Sequence, residues 1–183
     1  PGLKYAGMVE VPRYTPEKVA QYVAIQLQSG KLEQEGRFEF EVRFTPQSDN
    51  FPIELYSTQF DRVLDIASTY SGMVIIVTGH TDPLEFWIQK TRKNADSHTL
   101  RQQIAAANGL SLRRAERVRL QLVEYAKLKG VMLPEGQFTV LANGIFKPTS
   151  GKLCLGVEGI HVGCPPQNKD EMLANIRVSF SAV

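Results

Sequence analysis

The sequence has no long apolar run and almost no excess of charge of either sign. Its longest uninterrupted apolar stretch, Met73–Val77, has the length of a β-strand, whereas a membrane-spanning helix needs ~20 apolar residues. The 21 basic and 19 acidic residues leave a formal net charge of +2, which gives no reason to expect nucleic acid or an anionic membrane as a partner. We therefore expect neither a membrane span nor a nucleic-acid site.

The chain is short and begins without an initiator methionine. Its 183 residues suffice for one domain with a sizeable core and some additional elements. It starts at Pro1 with no signal-type apolar stretch, so we expect a mature or trimmed fragment of a longer protein.

Cysteine is scarce, with only Cys154 and Cys164 in the chain. They flank a glycine-rich segment, 155–163, that has little means of ordering itself. A disulfide between them would close this segment in an oxidising compartment. Two free thiols in a reduced cytosol are the alternative. A metal site is disfavoured, because His161 is the only further ligand nearby, and we expect no metal or other cofactor.

Apolar periodicity predicts helices and strands in alternation. Phe38–Phe44 alternates aromatic or aliphatic residues with charged ones, which indicates a strand with one buried face. Further strands are predicted at 73–77, 137–141 and 177–183, and helices at 55–67, at 112–129 and, as a single turn, at 169–173. Ser111 is the expected N-cap of the strongest helix, 112–129. This alternation predicts an α/β (α+β) sandwich, a sheet covered by helices.

Three segments depart from the simple alternation. Residues 1–36 are an N-terminal extension with one predicted helix, and residues 144–168 are a long loop rich in glycine and proline. Residues 83–109 are an insertion with some helix, which we expect to form a flap that narrows access to Asp82 or offers a surface to a partner. Trp87 within it is interpreted as a core residue, with an exposed ring that stacks on sugar or a partner as the alternative.

Two charged residues lie where ligand sites form in such folds. Asp82 follows the buried strand 73–77, at the carboxyl end where α/β sheets bind ligands, and can accept hydrogen bonds from an ammonium. Arg114 falls in the first turn of the predicted helix 112–129, where its planar fork and the helix N-terminus both suit a carboxylate. On spacing alone, an internal Asp82–Arg114 pair or a solvated Arg114 is the better-supported interpretation.

Three motifs that follow one another along the chain favour a ligand-binding role for Asp82 and Arg114 instead. They are Gly79-His-Thr-Asp82 after a strand, Leu110-Ser-Leu-Arg-Arg-Ala115 on a helix, and Asn175-Ile-Arg-Val178 before the last strand. Together they resemble the three-part signature of the OmpA-like peptidoglycan-binding domains, the family of the OmpA C-terminal domain, Pal and the periplasmic part of MotB. The resemblance covers residues 37–183 and implies a βαβαββ mixed sheet, with the N-terminal helix and the insertion as additions.

The resemblance also implies a ligand. In the family, the motif Asp and the Arg before Ala hold the amine and the carboxylate of diaminopimelate in the peptide stem. These positions are Asp82 and Arg114, with Thr81 as a secondary candidate and Arg113 outside the match. It further implies a non-enzymatic domain that binds peptidoglycan non-covalently and anchors an envelope protein or assembly to the cell wall. The expected location is the periplasm or cell envelope of a Gram-negative-type bacterium.

The sequence departs from the family pattern at several points. The insertion 83–109 replaces a short loop, Asn108 is offset by one position, and Ile176 stands where the motif has its first Arg. The alternative function is therefore an OmpA-like module that contacts other envelope proteins and has lost wall binding. A wall hydrolase is disfavoured because no nucleophile, paired acids or metal ligands stand out. His80 is interpreted as a structural histidine near the strand end.

Overall fold

A computed structural model describes residues 38–44, 53–69 and 74–182 of the protein. The side chains of residues 38–40, 69 and 182 are not among those described. The predicted helix of the extension 1–36 and the loop 45–52 lie outside these ranges.

The described ranges contain strands and helices in the predicted alternation, joined by 3-10 turns at Ile53–Tyr56 and Glu135–Gln137. The strands are β1 (Phe38–Arg43), β2 (Ile75–Gly79), β3 (Phe138–Ala142), β4 (Leu153–Val157), β5 (Ile160–Gly163) and β6 (Arg177–Ala182). The helices are α1 (Ser57–Thr69), α2 (Leu84–Thr91), α3 (Ser97–Leu128) and α4 (Lys169–Asn175). Within these ranges, no helix has both the length and the apolar character that a membrane span requires.

The main sheet is mixed, as predicted. Its strand order is β1-β6-β2-β3, in which β6 runs antiparallel to both neighbours and β2 runs parallel to β3. The last strand thus lies at the centre, between the first strand and β2. The crossover from β2 to β3 carries α2 and α3, which is how a parallel pair must be joined. The predicted α+β architecture is confirmed.

One face of the sheet is covered by helices. Successive side chains of a strand point to opposite faces, and on β2 and β6 the apolar Val77, Val178 and Phe180 face α1 and α3. From the helices, Phe60 and Leu122 pack into the same core. Burying each such side chain contributes roughly 1.5–3 kcal/mol. The other face carries mostly polar residues.

A second, smaller core lies beside the main one. The antiparallel hairpin β4–β5 packs on α2 and the first part of α3, and together they bury a cluster of apolar side chains. Its members are Phe86, Trp87, Leu100, Ile104, Ile145, Val157 and Val162. Trp87 Nε1 donates a hydrogen bond to Gly163 O over 2.7 Å, which confirms Trp87 as a core residue. The Cys154–Cys164 disulfide ties the two strands of the hairpin.

The predicted start of the helix 112–129, with Ser111 as its N-cap, is wrong. The helix begins at Ser97, and its N-cap is Asp96, whose carboxylate accepts from Thr99 N at 2.8 Å. Ser111 lies inside the helix, where its hydroxyl donates to Asn108 O. Burial of Leu100 and Ile104 in the second core stabilises the earlier turns, so tertiary packing outweighs the local capping preference of Ser111.

The prediction of a long loop at 144–168 is also wrong, because this segment contains the hairpin β4–β5. Its strands have five and four residues, and a positive φ at both Glu158 and Gly159 forms the turn between them. Strands this short carry little periodicity, and the disulfide and the second core supply the stability that the local sequence does not.

Candidate functional site

The candidate site begins where β2 ends against α3. A Cβ on Gly79 would lie 1.8 Å from the backbone oxygen of Ser111, so only glycine allows the strand and the helix to approach this closely. Ser111 Oγ also accepts a hydrogen bond from Gly144 N at 3.0 Å. The first two motifs therefore meet at a backbone contact, which brings the residues that follow each of them to one place.

Asp82 is held by two hydrogen bonds. Its Oδ2 accepts from Leu84 N at 2.7 Å, at the start of α2, and its Oδ1 accepts from Asn175 Nδ2 at 2.8 Å. Burial raises the pKa of the Asp82 carboxyl above its ordinary value of 3.8, the two hydrogen bonds oppose that shift, and the charge of Glu171 adds to it. Neither hydrogen bond goes to Arg114, so the carboxylate is oriented without being neutralised by the arginine.

Asn175, the first residue of the third motif, also belongs to the site, although the sequence alone predicts no role for it. It is 0% exposed, at the end of α4. While its amide nitrogen binds Asp82, its Oδ1 accepts from both Thr149 N and Thr149 Oγ1, at 2.8 and 3.0 Å. Its position in the third motif was the available signal, but only the fold places it next to Asp82.

Arg114 is fully enclosed, with 1% of its surface exposed. Its Nη1 lies 3.5 Å from His80 O, and its guanidinium carbon is 5.5 Å from the ring centre of Phe44, a cation–π contact. Because α3 begins at Ser97, Arg114 lies in the middle of the helix. The expected contribution of a helix N-terminus to anion binding is therefore wrong, and the arginine must act through its own fork.

Asp82, Arg114 and Thr81 line one cavity of about 290 Å³. Most of its other walls are apolar. Leu84 and Phe86 of α2 and Ala106, Ala107 and Leu110 of α3 form one part, and Ile145, Met172 and Ile176 form the rest. Glu85 and Gln103 add polar groups to the lining. An apolar enclosure strengthens electrostatic contacts made inside it, and the cavity offers a carboxylate and a guanidinium to the same small ligand.

The neighbours of Asp82 in the motif have different environments. Thr81 N donates to Gly144 O at 2.8 Å, and within the described part of the chain its hydroxyl has no hydrogen-bond partner. His80 is buried with Nε2 3.0 Å from Ser179 Oγ. Burial, followed by the positive charges of Arg177 and Lys147, lowers the pKa of His80 well below its ordinary value. His80 is thus a structural residue, as interpreted.

Among the residues that the structure describes, no three His, Cys, Asp or Glu side chains gather as a possible metal site. The cavity combines the carboxylates of Asp82 and Glu85, the guanidinium of Arg114 and apolar walls. A carboxylate together with a guanidinium suits a zwitterion, whose ammonium and carboxylate need partners of opposite sign.

Solved structures similar to this chain include periplasmic domains of MotB. The Helicobacter pylori MotB periplasmic domain (residues 78–256) matches with a TM-score of 0.50 and 16% identity over 80% of this chain and 75% of that one. For the periplasmic domain of MotB (residues 64–256) the values are 0.49, 19%, 80% and 62%, so the chain spans less than two thirds of that domain. The peptidoglycan-associated lipoprotein from Burkholderia pseudomallei gives 0.48, 19%, 78% and 89%.

No family model and no curated protein sequence matches the chain. The likeness is therefore one of structure, and it confirms the OmpA-like fold that the three motifs implied.

Proposed function

We propose that this domain binds the peptide stem of peptidoglycan non-covalently and so anchors an envelope protein or assembly to the cell wall. The observation that carries the proposal is the common cavity of Asp82 and Arg114. A diaminopimelate-type ligand has an ammonium and a carboxylate on the same carbon, and these are the two groups that the cavity can bind. The names of two structural neighbours, a periplasmic domain and a peptidoglycan-associated lipoprotein, support the same assignment.

Asp82 is the proposed acceptor for the ligand ammonium. Its two hydrogen bonds to Asn175 and Leu84 fix the orientation of the carboxylate before the ligand arrives. Since burial raises the pKa of this carboxyl, an ammonium that enters the cavity favours the ionised form and is in turn held by it. The apolar walls suit the aliphatic chain that separates the two ends of diaminopimelate.

Arg114 is the proposed donor to the ligand carboxylate. Its planar guanidinium forms two parallel hydrogen bonds with a carboxylate, which a lysine ammonium cannot reproduce. Because the side chain is enclosed, a carboxylate reaches it only from inside the cavity. This restricts binding to a ligand end that is narrow enough to enter. Thr81 is a secondary contact through its hydroxyl, which has no hydrogen-bond partner among the described residues.

The same proposal places the domain in the periplasm or envelope of a Gram-negative-type bacterium. The Cys154–Cys164 disulfide agrees with an oxidising compartment. The periplasmic origin of the MotB domains with this fold supports it as well.

Sedimentation with purified peptidoglycan sacculi tests the proposal. Asp82→Ala and Arg114→Lys are each expected to weaken binding roughly ten- to a hundredfold, since a charge-assisted contact contributes about 1.5–3 kcal/mol. Arg113→Ala is the matched control on the exposed side of the same helix and is expected to bind normally. Free diaminopimelate should compete with the sacculi, and 1,5-diaminopentane, which has the amines and an aliphatic chain but no carboxylate for Arg114, should compete less.

Melting temperatures of the same proteins separate lost contacts from lost folding. Wild-type protein that melts cooperatively but leaves sacculi unbound would favour the alternative, a protein-interaction module without wall binding. Release of soluble muropeptides during incubation would instead point to a hydrolase.

A further inference from the structure

A second cavity lies on the polar face of the sheet, opposite the helices. Its volume is about 540 Å³, larger than that of the first cavity. Thr78 of β2 and Ser179 and Ser181 of β6 contribute to its floor, and their side chains point away from the helix-covered core because they alternate with Val77, Val178 and Phe180. The segment 143–151 forms one wall.

Arg177 is the most unusual residue of this cavity. It is 4% exposed, and its Nε donates to Glu41 Oε1 at 3.2 Å while its Nη2 donates to Lys147 O at 3.1 Å. Its Nη1 is also buried but has no hydrogen-bond partner within the described ranges, and the same is true of Ser181 Oγ. A buried guanidinium N–H without a partner is unfavourable, so an acceptor that enters the cavity would be stabilised there.

The charges around the cavity favour an anion. Glu41 balances Arg177, and Lys147 then leaves an excess of positive charge in the lining. His80 also lines the cavity, and burial and the two cations hold its pKa low, so it stays neutral and adds no positive charge of its own. Leu141 and Phe146 supply apolar surface next to these polar groups.

We propose that this cavity is a second binding site, which takes a small ligand with an oxyanion and an apolar part. The oxyanion binds Arg177 and Lys147, and the apolar part lies against Leu141 and Phe146. The site does not depend on the function proposed above, because Asp82 and Arg114 line the other cavity.

Isothermal titration calorimetry with simple probes tests this proposal. Benzoate and phenyl phosphate each join an aromatic ring to an oxyanion and distinguish a carboxylate ligand from a phosphate ligand. Benzyl alcohol has the ring without the charge, and inorganic phosphate has the charge without the ring. At least one of the two aromatic anions is expected to bind at one site per chain, and more tightly than either partial probe.

Variants locate the binding. Lys147→Gln alters an exposed side chain and is expected to weaken anion binding about two- to fivefold, whereas Lys169→Gln on α4 is the matched control and should have no effect. Glu41→Gln/Arg177→Gln removes both members of the buried pair together and should weaken it at least about tenfold. Should the double variant fail to fold, Leu141→Trp narrows the cavity from its rim without changing a buried charge and is expected to weaken binding of the same probe.

Arg114→Gln distinguishes the two cavities and should leave anion binding unchanged, because Arg114 is the oxyanion donor proposed for the first cavity and does not line the second. The proposal is overturned if neither aromatic anion binds, if benzyl alcohol binds as tightly as the anions, or if binding is lost in Arg114→Gln and kept in Lys147→Gln.

Discussion

Asn175 Nδ2 donates a 2.8 Å hydrogen bond to Asp82 Oδ1, which joins the loop after β2 to the end of α4, just before the central strand β6. The same amide accepts two hydrogen bonds from Thr149. One buried side chain therefore links the first motif, the third motif and the segment before the hairpin. Asp82 is the proposed acceptor for the ligand ammonium, and its orientation depends on Asn175, which makes no proposed contact with the ligand.

Asn175→Ala is expected to weaken sacculus binding and to lower the free energy of unfolding by about 1–3 kcal/mol, because the Thr149 donors lose their buried acceptor. Asn168→Ala is the control on the same helix, since it removes an exposed cap with no contact to Asp82. Denaturant unfolding and sedimentation with sacculi measure the two effects. Normal binding in Asn175→Ala would show that Asp82 needs no positioning by this amide.

Sacculus binding is expected to fall on acidification at a pH above the ordinary Asp value of 3.8, because the pKa of Asp82 is raised and only its ionised form attracts an ammonium. The effect on folding has the opposite sign. A carboxyl with a raised folded-state pKa contributes stability that is present at low pH and is lost as the pH rises through that pKa. Loss of binding with acid is therefore not unfolding caused by this group. A pH series of sedimentation, with Asp170→Asn as an exposed-carboxylate control, checks the prediction, and pH-independent binding would contradict it.

Thiol counting on denatured, unreduced protein from its native compartment should find no free cysteine, since Cys154 and Cys164 are bonded. Their separation is 10 residues, and closing a loop of that size stabilises a fold by about 2–3 kcal/mol in the chain-entropy account. Reduction is expected to lower the free energy of unfolding by that amount and to change the fluorescence of Trp87, the single tryptophan, which binds the hairpin at Gly163. Two free thiols would remove both expectations.

Trp87→Phe is expected to cost about 1–3 kcal/mol, because it leaves the buried Gly163 carbonyl without its donor while retaining an aromatic ring. Gln89→Ala is the control, since this half-buried side chain of α2 donates only to the exposed Glu85, and it should lie within about 0.5 kcal/mol of wild type. For the same reason, deletion of 83–109 is expected to unfold the hairpin, since Val157 and Val162 would lose the partners that bury them. An intact hairpin in a variant without residues 83–109 would contradict this expectation and would show that the segment is a flap separable from the core.

The regular elements of the fold were predictable from local patterns. Alternation over Phe38–Phe44 and the apolar run before Gly79 indicated β1 and β2, and both are present. The start of α3 was not predictable in this way, because Ser111 has the chemistry of an N-cap and Leu100 gains its stabilisation from residues about 50 positions away in the chain, in the hairpin. Long-range packing of this kind leaves no local signal.

The residues of the site were likewise predictable from the sequence only in part. Motif resemblance selected Asp82 and Arg114, and the structure places both at one cavity. The role of Asn175 depends on contacts between segments that are distant in sequence, so it required the fold. The predicted contribution of a helix N-terminus at Arg114 is wrong, because α3 starts at Ser97 and not at Ser111.

Gly79→Ala is expected to disrupt the site from within the backbone. The added Cβ would meet the oxygen and the carbonyl carbon of Ser111 at 1.8 and 2.5 Å, and neither is the end of a flexible side chain, so β2 and α3 must separate. Forcing apart a packed contact costs about 1–3 kcal/mol or more, and the shift moves Asp82 and Arg114 relative to each other, because each follows the contact by three residues. We therefore expect sacculus binding to fall at least tenfold together with stability. Gly136→Ala is the matched control, since its Cβ would meet nothing within 4 Å. Equal stability and binding in the two alanine variants would contradict the close approach of strand and helix on which the geometry of the site depends.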